Sequence, residues 1–275
     1  MRAQLRQAVK AAGKIALDHY GSVSMQQADR KGQADYVSFV DRSVQDELIC
    51  RLKQTFPDHT YIGEENDVHE QSAQGPHWII DPIDGTTNFL REIPAWCISV
   101  CFCSDVDDPK MAVIYDPVHD DLFEAEANAG AWRNGSRIHS SGCGKIEDAL
   151  WAGALPFRYP AALAEVLATF AAIQSKSQDM RRGGSAALDL AAVACGRLDA
   201  YWEGFIYPWD VAAGELLVRE SGGAATSISG SDSNLLSRRS IIAAASPRLH
   251  QEFLHACQDL APIINRVILA DQEAD

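Results

Sequence analysis

Two carboxylates, Asp81 and Asp84, stand three residues apart in Trp78-Ile79-Ile80-Asp81-Pro82-Ile83-Asp84-Gly85-Thr86-Thr87-Asn88-Phe89. The apolar Trp78-Ile79-Ile80 reads as a buried strand that delivers Asp81 at its end, and Pro82 fixes the turn that follows. Gly85-Thr86-Thr87 then opens a helix, whose free backbone N–H groups are able to hold a phosphate. One short segment thus offers cation ligands beside an anion cradle, which points to cation-assisted chemistry on a phosphate. Taken singly the acids are ordinary. Asp84 before Gly85-Thr86 also reads as a helix cap or turn residue, and so does Asp81 beside Pro82. Two further acidic motifs weigh against that reading. Gly63-Glu64-Glu65 follows the apolar pair Tyr61-Ile62, and Pro208-Trp209-Asp210 opens an apolar helix, where Asp210 alone reads first as a cap.

The elements that must hold these residues show in the periodicity. Leu5, Val9, Ala12, Ile15, Ala16 and Tyr20 share one helical face, with Gly21 as the stop. Asp35–Asp41 reads as extended, and a second helix turns Val44, Leu48, Leu52 and Phe56 inward before Pro57. Strands are expected at His77–Asp81, Trp96–Cys103 and Met111–Tyr115. A hairpin is expected over Asp121–Ala127 and Ala131–Ile138, with Asn134-Gly135 as a separate turn signal. Beyond Lys145 the pattern alternates. Strands read at Ala149–Leu155, Leu198–Trp202 and Ser240–Ala245, and helices at Ala161–Gln174, Ser185–Cys195, Asp210–Ser221 and Pro247–Cys257. The tail Ala270–Asp275 reads as frayed. The expected fold class is α+β: a mixed or antiparallel sheet in the first half, 1–145, and alternating α/β structure in the second, 146–275, in one compact unit.

Composition narrows the function. A net charge of −14 disfavours nucleic acid and anionic membrane as direct partners, since phosphate-backbone affinity comes from Lys and Arg. It also requires local neutralisation if the substrate is an anion, a task suited to divalent cations. The cysteines number seven, an odd count without a CxxC pair, and read as reduced, mostly buried thiols. Lys10, Lys14 and Asp18 interrupt the N-terminal segment, which does not read as a signal peptide, and no apolar run is long enough to span a membrane. A cytoplasmic protein is expected.

Gly-Glu-Glu at 63–65, Asp-Pro-Ile-Asp-Gly-Thr-Thr-Asn-Phe at 81–89 and Trp-Asp-Val-Ala at 209–212 together resemble the inositol monophosphatase family. Its superfamily includes fructose-1,6-bisphosphatase and the nucleotide bisphosphate phosphatases. The resemblance runs over nearly the whole chain and implies the layered α/β sandwich of the sugar phosphatases. It implies that Glu64, Asp81 and the carbonyl of Ile83 bind one Mg²⁺, and that Asp81, Asp84 and Asp210 bind a second. Glu64 would also help a third, looser ion and its waters. Gly85 and Thr86 would donate backbone N–H bonds to the phosphate, and the Thr86 hydroxyl, paired with Asp41, would orient the attacking water. Gly184-Ser185-Ala186 and Glu203, with Asp210, would line the alcohol side. From the residues alone Gly184-Ser185 also reads as a helix cap, and Glu203 as a solvated strand-end charge.

The resemblance further implies a small phosphorylated metabolite as substrate, inhibition by Li⁺ and a homodimer. Arg30-Lys31 stands where many members place a Lys near the metals. Thr87-Asn88 favours the inositol or histidinol phosphatase branch over the nucleotide bisphosphate branch. An inositol-1-phosphatase-like hydrolase is the leading expectation. A histidinol-phosphate or nucleotide-derived phosphatase is the enzymatic alternative. A regulatory binding protein that keeps the fold is the third, since some bacterial members are implicated in transcription complexes.

Overall fold

Apolar residues alternate along the central strands so that both faces of two sheets are covered, and helices fill the spaces. The computed structural model describes residues 1–23, 28–32, 35–65, 75–231, 235–237 and 240–272. The larger sheet has seven strands in sequential order: β3 (Thr60–Gly63), β4 (His77–Asp84), β5 (Cys97–Cys103), β6 (Pro109–Asp116), β7 (Asp121–Glu126), β8 (Gly130–Arg133) and β9 (Ser136–Ile138). Only the β3–β4 pair is parallel. A two-stranded antiparallel ribbon, β1 (Asp29–Gly32) and β2 (Asp35–Val37), lies before it in the chain.

The smaller sheet has five strands in the order β11 (Asp179–Arg181), β10 (Leu150–Gly153), β12 (Ala200–Gly204), β14 (Ser240–Ala244) and β13 (Ala224–Thr226). Its β10 pairs parallel with β11 and β12, whereas β14 runs antiparallel to its two neighbours. The order is mixed, as the alternating second half implies.

Three apolar cores separate the layers. On one face of the large sheet Trp78, Ile80, Ile98, Val100 and Val113 pack against α1 (Arg2–His19) and α2 (Phe39–Thr55). On its other face Ile79, Cys101, Ala112 and Ile114 join Tyr201, Ile241 and Ala243 of the small sheet around α5 (Ala186–Ala194) and α6 (Pro208–Glu220). The far face of the small sheet, with Trp151, Trp202 and Ile242, packs on α4 (Leu163–Gln174) and α7 (Pro247–Cys257). Helix, sheet, helix, sheet and helix follow one another, which is the expected layered α+β sandwich. The central α5–α6 layer touches apolar surface on both sides. Ten consecutive or near-consecutive residues of α6 are therefore buried, from Pro208 to Val218 with Asp210 as the exception.

Two further helices are the short α3 (Thr86–Leu90) and α8 (Ala261–Gln272) near the end of the chain. The sequence pattern does not mark α8, so residues 270–272 of the expected frayed tail are helical, and residues 273–275 lie outside the described part. The stretch from Phe39 to Asp41 is helical rather than extended. Ser38 caps α2, its Oγ accepting from the Val40 N–H at 3.1 Å while its N–H donates to Asp41 Oδ2 at 2.8 Å. All seven cysteines are free, and Cys97, Cys101, Cys103 and Cys257 are buried. Among the described residues no helix is long and apolar enough to cross a membrane.

Candidate active site

Asp81 and Asp84 would face opposite sides of a regular strand, because side chains alternate and three steps change the parity. The structure resolves this with a bulge. Asp81 pairs with Ser99 and Asp84 with Cys97, so β4 carries one more residue than β5 between these pairs. Pro82 has no N–H to lose from the ladder, and the Ile83 N–H turns to Asp81 Oδ1 at 3.0 Å. The extra residue restores the parity, and both carboxylates point to the side of α5 and α6.

Asp210 meets them there. Pro208 starts α6, and Asp210 in its first turn accepts the Tyr207 N–H on Oδ2 at 2.8 Å. Ser99 of β5 donates its hydroxyl to the Trp209 carbonyl at 3.3 Å, tying the helix start to the strand beside Asp81. Asp81, Asp84 and Asp210 each offer an oxygen within 4.8 Å of the others. Glu64 lines the same cavity from the end of β3, its N–H bonded to the Ile80 carbonyl at 3.1 Å. The neighbouring Glu65 N–H donates to Gln45 of α2 at 3.1 Å, which fixes this corner.

Burial and mutual repulsion push the acids upward. Asp81 lies well above the usual carboxylate range, first because it is desolvated and then because Glu64, Asp84 and Asp210 surround it. Burial likewise raises Asp210 well above that range, with Arg158 pulling the other way. Asp84 is raised to about 6 by burial, although its Oδ2 accepts the Ser185 hydroxyl at 2.7 Å and the Ala187 N–H at 2.6 Å. Carboxylates gathered this closely ionise together only beside positive charge. Their donor set is oxygen alone, which fits hard divalent cations such as Mg²⁺.

The cavity enclosed here has a volume of about 260 Å³. Ile83, Gly85 and Thr86 line one wall, and Gly184, Ser185, Ala186 and Glu203 another. Gly85 has φ +97, and a Cβ on it would lie 3.0 Å from the Ala95 carbonyl, so only glycine fits this corner. Asn88 joins the two walls, donating to the Ala95 carbonyl at 2.6 Å and the Gly183 carbonyl at 3.0 Å. Asp41 stands behind the wall, buried. Its Oδ2 accepts the Ser38 hydroxyl at 2.6 Å, and its Oδ1 lies 3.2 Å from the Thr86 hydroxyl. The same Thr86 hydroxyl also reaches the Ile83 carbonyl at 3.1 Å. Ser185 is both the cap of α5 and a donor to Asp84. Glu203 is buried rather than solvated, and accepts the Tyr201 hydroxyl on Oε2. The side chains of Arg30 and Lys31 lie outside the described residues.

A larger open hollow of about 820 Å³ lies over α1 and α2. Its cations are already paired, Arg6 with Glu124, Lys10 with Asp120 and Arg51 with Glu47, and among the described residues no cluster of carboxylates faces it. Size alone therefore does not make it the site.

The model of the inositol monophosphatase family matches residues 1–261. The chain belongs to that family. Nus factor SuhB of Escherichia coli (strain K12) is 35% identical over 252 residues, covering 92% of this chain and 93% of that protein. An inositol-1-monophosphatase of Caulobacter vibrioides is 35% identical over 246 residues, covering 89% of this chain and 95% of the relative. The crystal structure of the extragenic suppressor protein SuhB from Bartonella henselae superposes with a TM-score of 0.85 at 34% identity, over 93% of this chain and 97% of that one.

Several cavity residues escape the sequence motifs. Arg158 lies in the loop after β10, Arg182 just after β11, Asp189 in the first turn of α5 and Tyr201 on β12. Tyr201 stands two residues before Glu203 and so on the same strand face, a signal the sequence does carry. The arginines sit in loops, whose course no periodicity reveals.

Proposed function

We propose that the chain is a Mg²⁺-dependent phosphatase that hydrolyses a small phosphate monoester, most directly inositol 1-phosphate or a related polyol or sugar phosphate. The gathering of Asp81, Asp84 and Asp210 within 4.8 Å, over a cavity shared with Thr86, Glu203 and the 184–186 segment, carries this reading. Membership of the family supports it, as does the name of the Caulobacter relative.

Glu64, Asp81 and the Ile83 carbonyl would hold one Mg²⁺, Asp81, Asp84 and Asp210 a second, and Glu64 would help a third. Such cations, when bound, neutralise phosphoryl charge and make water acidic enough to supply hydroxide near neutral pH. The protein's own residues do the positioning. Ser38 fixes Asp41, leaving Oδ1 for Thr86. The Thr86 hydroxyl donates to Asp41 Oδ1, and the lone pairs of Oγ1 would then accept a hydrogen bond from the attacking water. Gly85 and Thr86 would offer backbone N–H groups to the phosphate. Ser185 and the Ala187 N–H lock Asp84 in one orientation. Attack needs no covalent intermediate on the protein, and positioning with charge stabilisation is the main contribution.

On this reading the first half, 1–145, supplies most of the metal and phosphate site, and the second, 146–275, supplies the alcohol pocket, with Asp210 reaching across. A cytoplasmic homodimer inhibited by Li⁺ completes the proposal. Light scattering reads the mass, and a monomer would remove the dimer from it. Activity unchanged in high Li⁺ would count against the loosely held ion.

The deciding assay is phosphate release from inositol 1-phosphate, histidinol phosphate, 3′-phosphoadenosine-5′-phosphate and fructose 1,6-bisphosphate, with Mg²⁺ and with chelator. Chelator-sensitive release from a polyol or sugar monoester is expected. Preference for histidinol phosphate or the nucleotide would move the chain to that branch.

The relatives named Nus factor SuhB favour a second role, in which this fold also binds within a transcription complex. Those names lend no support to the expectation, drawn from net charge, that nucleic acid is not a direct partner. Such a role would survive Asp84→Asn, which removes catalysis and leaves the surface unchanged, so binding lost together with activity would argue against it.

A further inference from the structure

Asp189 is a cavity residue that neither the cations nor the phosphate uses. It lies in the first turn of α5, four residues after the cap Ser185, and lines the cavity with Glu203 and Tyr201. The backbone of Gly183 lies against its carboxylate and pulls its pKa downward. A Cβ at residue 183 would stand 2.7 Å from Asp189 Oδ1, so the absence of a side chain at Gly183 leaves the room this carboxylate occupies. The same wall carries Arg158 and Arg182. It therefore presents acceptors and donors together. An alcohol rich in hydroxyls matches such a wall, because each hydroxyl gives one hydrogen bond and takes others. An apolar leaving group would exclude water from these carboxylates and offer no donor to their remaining lone pairs. A bare ammonium would satisfy the acids but would face both arginines. The volume of about 260 Å³ suits a single substituted ring.

We propose that Asp189 is a specificity-determining residue that accepts a hydrogen bond from a hydroxyl of the leaving alcohol and so selects polyol phosphates over monoesters without hydroxyls. The proposal rests on the phosphatase reading above and names the substrate class of that site. Burial, with Asp84 and Glu203 nearby, raises Asp189 to about 7, so a donor brought by the substrate replaces an interaction that water no longer provides.

The test measures kcat and KM for the wild type, Asp189→Asn, Asp189→Ala and Gly183→Ala, with saturating Mg²⁺, on myo-inositol 1-phosphate and on p-nitrophenyl phosphate. In Asp189→Ala the ratio of kcat/KM for the inositol ester to that for the aryl ester should fall about 10- to 100-fold, chiefly through KM. Gly183→Ala keeps the carboxylate but crowds it, and should move the ratio in the same direction. It also keeps the question answerable if Asp189→Ala does not fold. An unchanged ratio, or equal losses on both esters in a folded variant, would overturn the proposal. So would a wild-type preference for histidinol phosphate that disappears in Asp189→Asn, since the residue would then read an ammonium. A wild type that releases phosphate from neither ester would instead overturn the phosphatase reading. Calorimetric binding of myo-inositol 1-phosphate to the wild type and Asp189→Ala would then still test the contact, and equal affinities would refute it.

Discussion

Stripping divalent cations from the protein should make it less stable as pH rises. Asp84 carries the argument, because it is buried and its pKa is raised from 3.8 to about 6. The folded state then holds the proton more tightly than the unfolded chain. The stabilisation is complete below about pH 4 and is lost as pH rises through about 6, where the folded protein must ionise Asp84 beside its acidic neighbours. Each pH unit in that window is worth about 1.4 kcal/mol, so Asp84 alone accounts for roughly 3 kcal/mol. In a chain of this size that corresponds to a fall in Tm of about 6–12 °C. Differential scanning calorimetry in chelator at several values between about pH 4 and 7 spans that window and reads the loss, and Asp84→Asn isolates the residue. The variant's Tm should fall less over the same range, and the gap between the two profiles should close when Mg²⁺ is added to the wild type. A wild-type profile that stays level or rises in chelator, or one that Asp84→Asn leaves unaltered, would refute the reasoning.

Asp84→Asn should also reduce turnover by at least about 100-fold while preserving the fold, since it removes one ligand charge and little volume; near-normal phosphate release in that variant would sink the ligand assignment. Thr86→Ala should lower kcat by roughly 100-fold and leave calorimetric Mg²⁺ affinity nearly unchanged, because its hydroxyl, held by Asp41, orients water and is not a ligand. Loss of Mg²⁺ binding instead would show that Thr86 serves the ligands. Gly214→Ala should destabilise by about 1–3 kcal/mol in urea unfolding. Its new Cβ would lie 2.4 Å from Leu190 Cδ1, where α6 crosses α5, and unchanged stability would contradict that close packing.

Much of this architecture is legible in the residues, and where it is not there is a physical reason. The outer helix α1 shows because it has one wet face, and Leu5, Val9, Ala12 and Ala16 mark the other. Helix α6 is covered nearly all round, so its pattern says little about direction, and Pro208 and Asp210 locate it better than periodicity does. Strands β11 and β13 have three residues each, too few for alternation to register. The motif names Asp81 and Asp84, but their common orientation depends on a bulge against β5, which is a property of the pair of strands. Asp41 shows as an acid in an apolar run. Its capping-box bond to Ser38 is local, whereas its contact with Thr86 depends on a packing partner 45 residues away. Asp189 resembles any acid in a first helical turn, and only the small sheet brought against α5 turns it into part of a pocket wall.

The most direct test is a Mg²⁺ titration of chelator-treated protein, following phosphate release from inositol 1-phosphate by the wild type and Asp210→Asn together. The account predicts saturable release in the wild type that is absent without Mg²⁺ and restored by it, and in Asp210→Asn a large loss in a protein that remains folded. Release that ignores Mg²⁺, or an Asp210→Asn variant as active as the wild type, would contradict it.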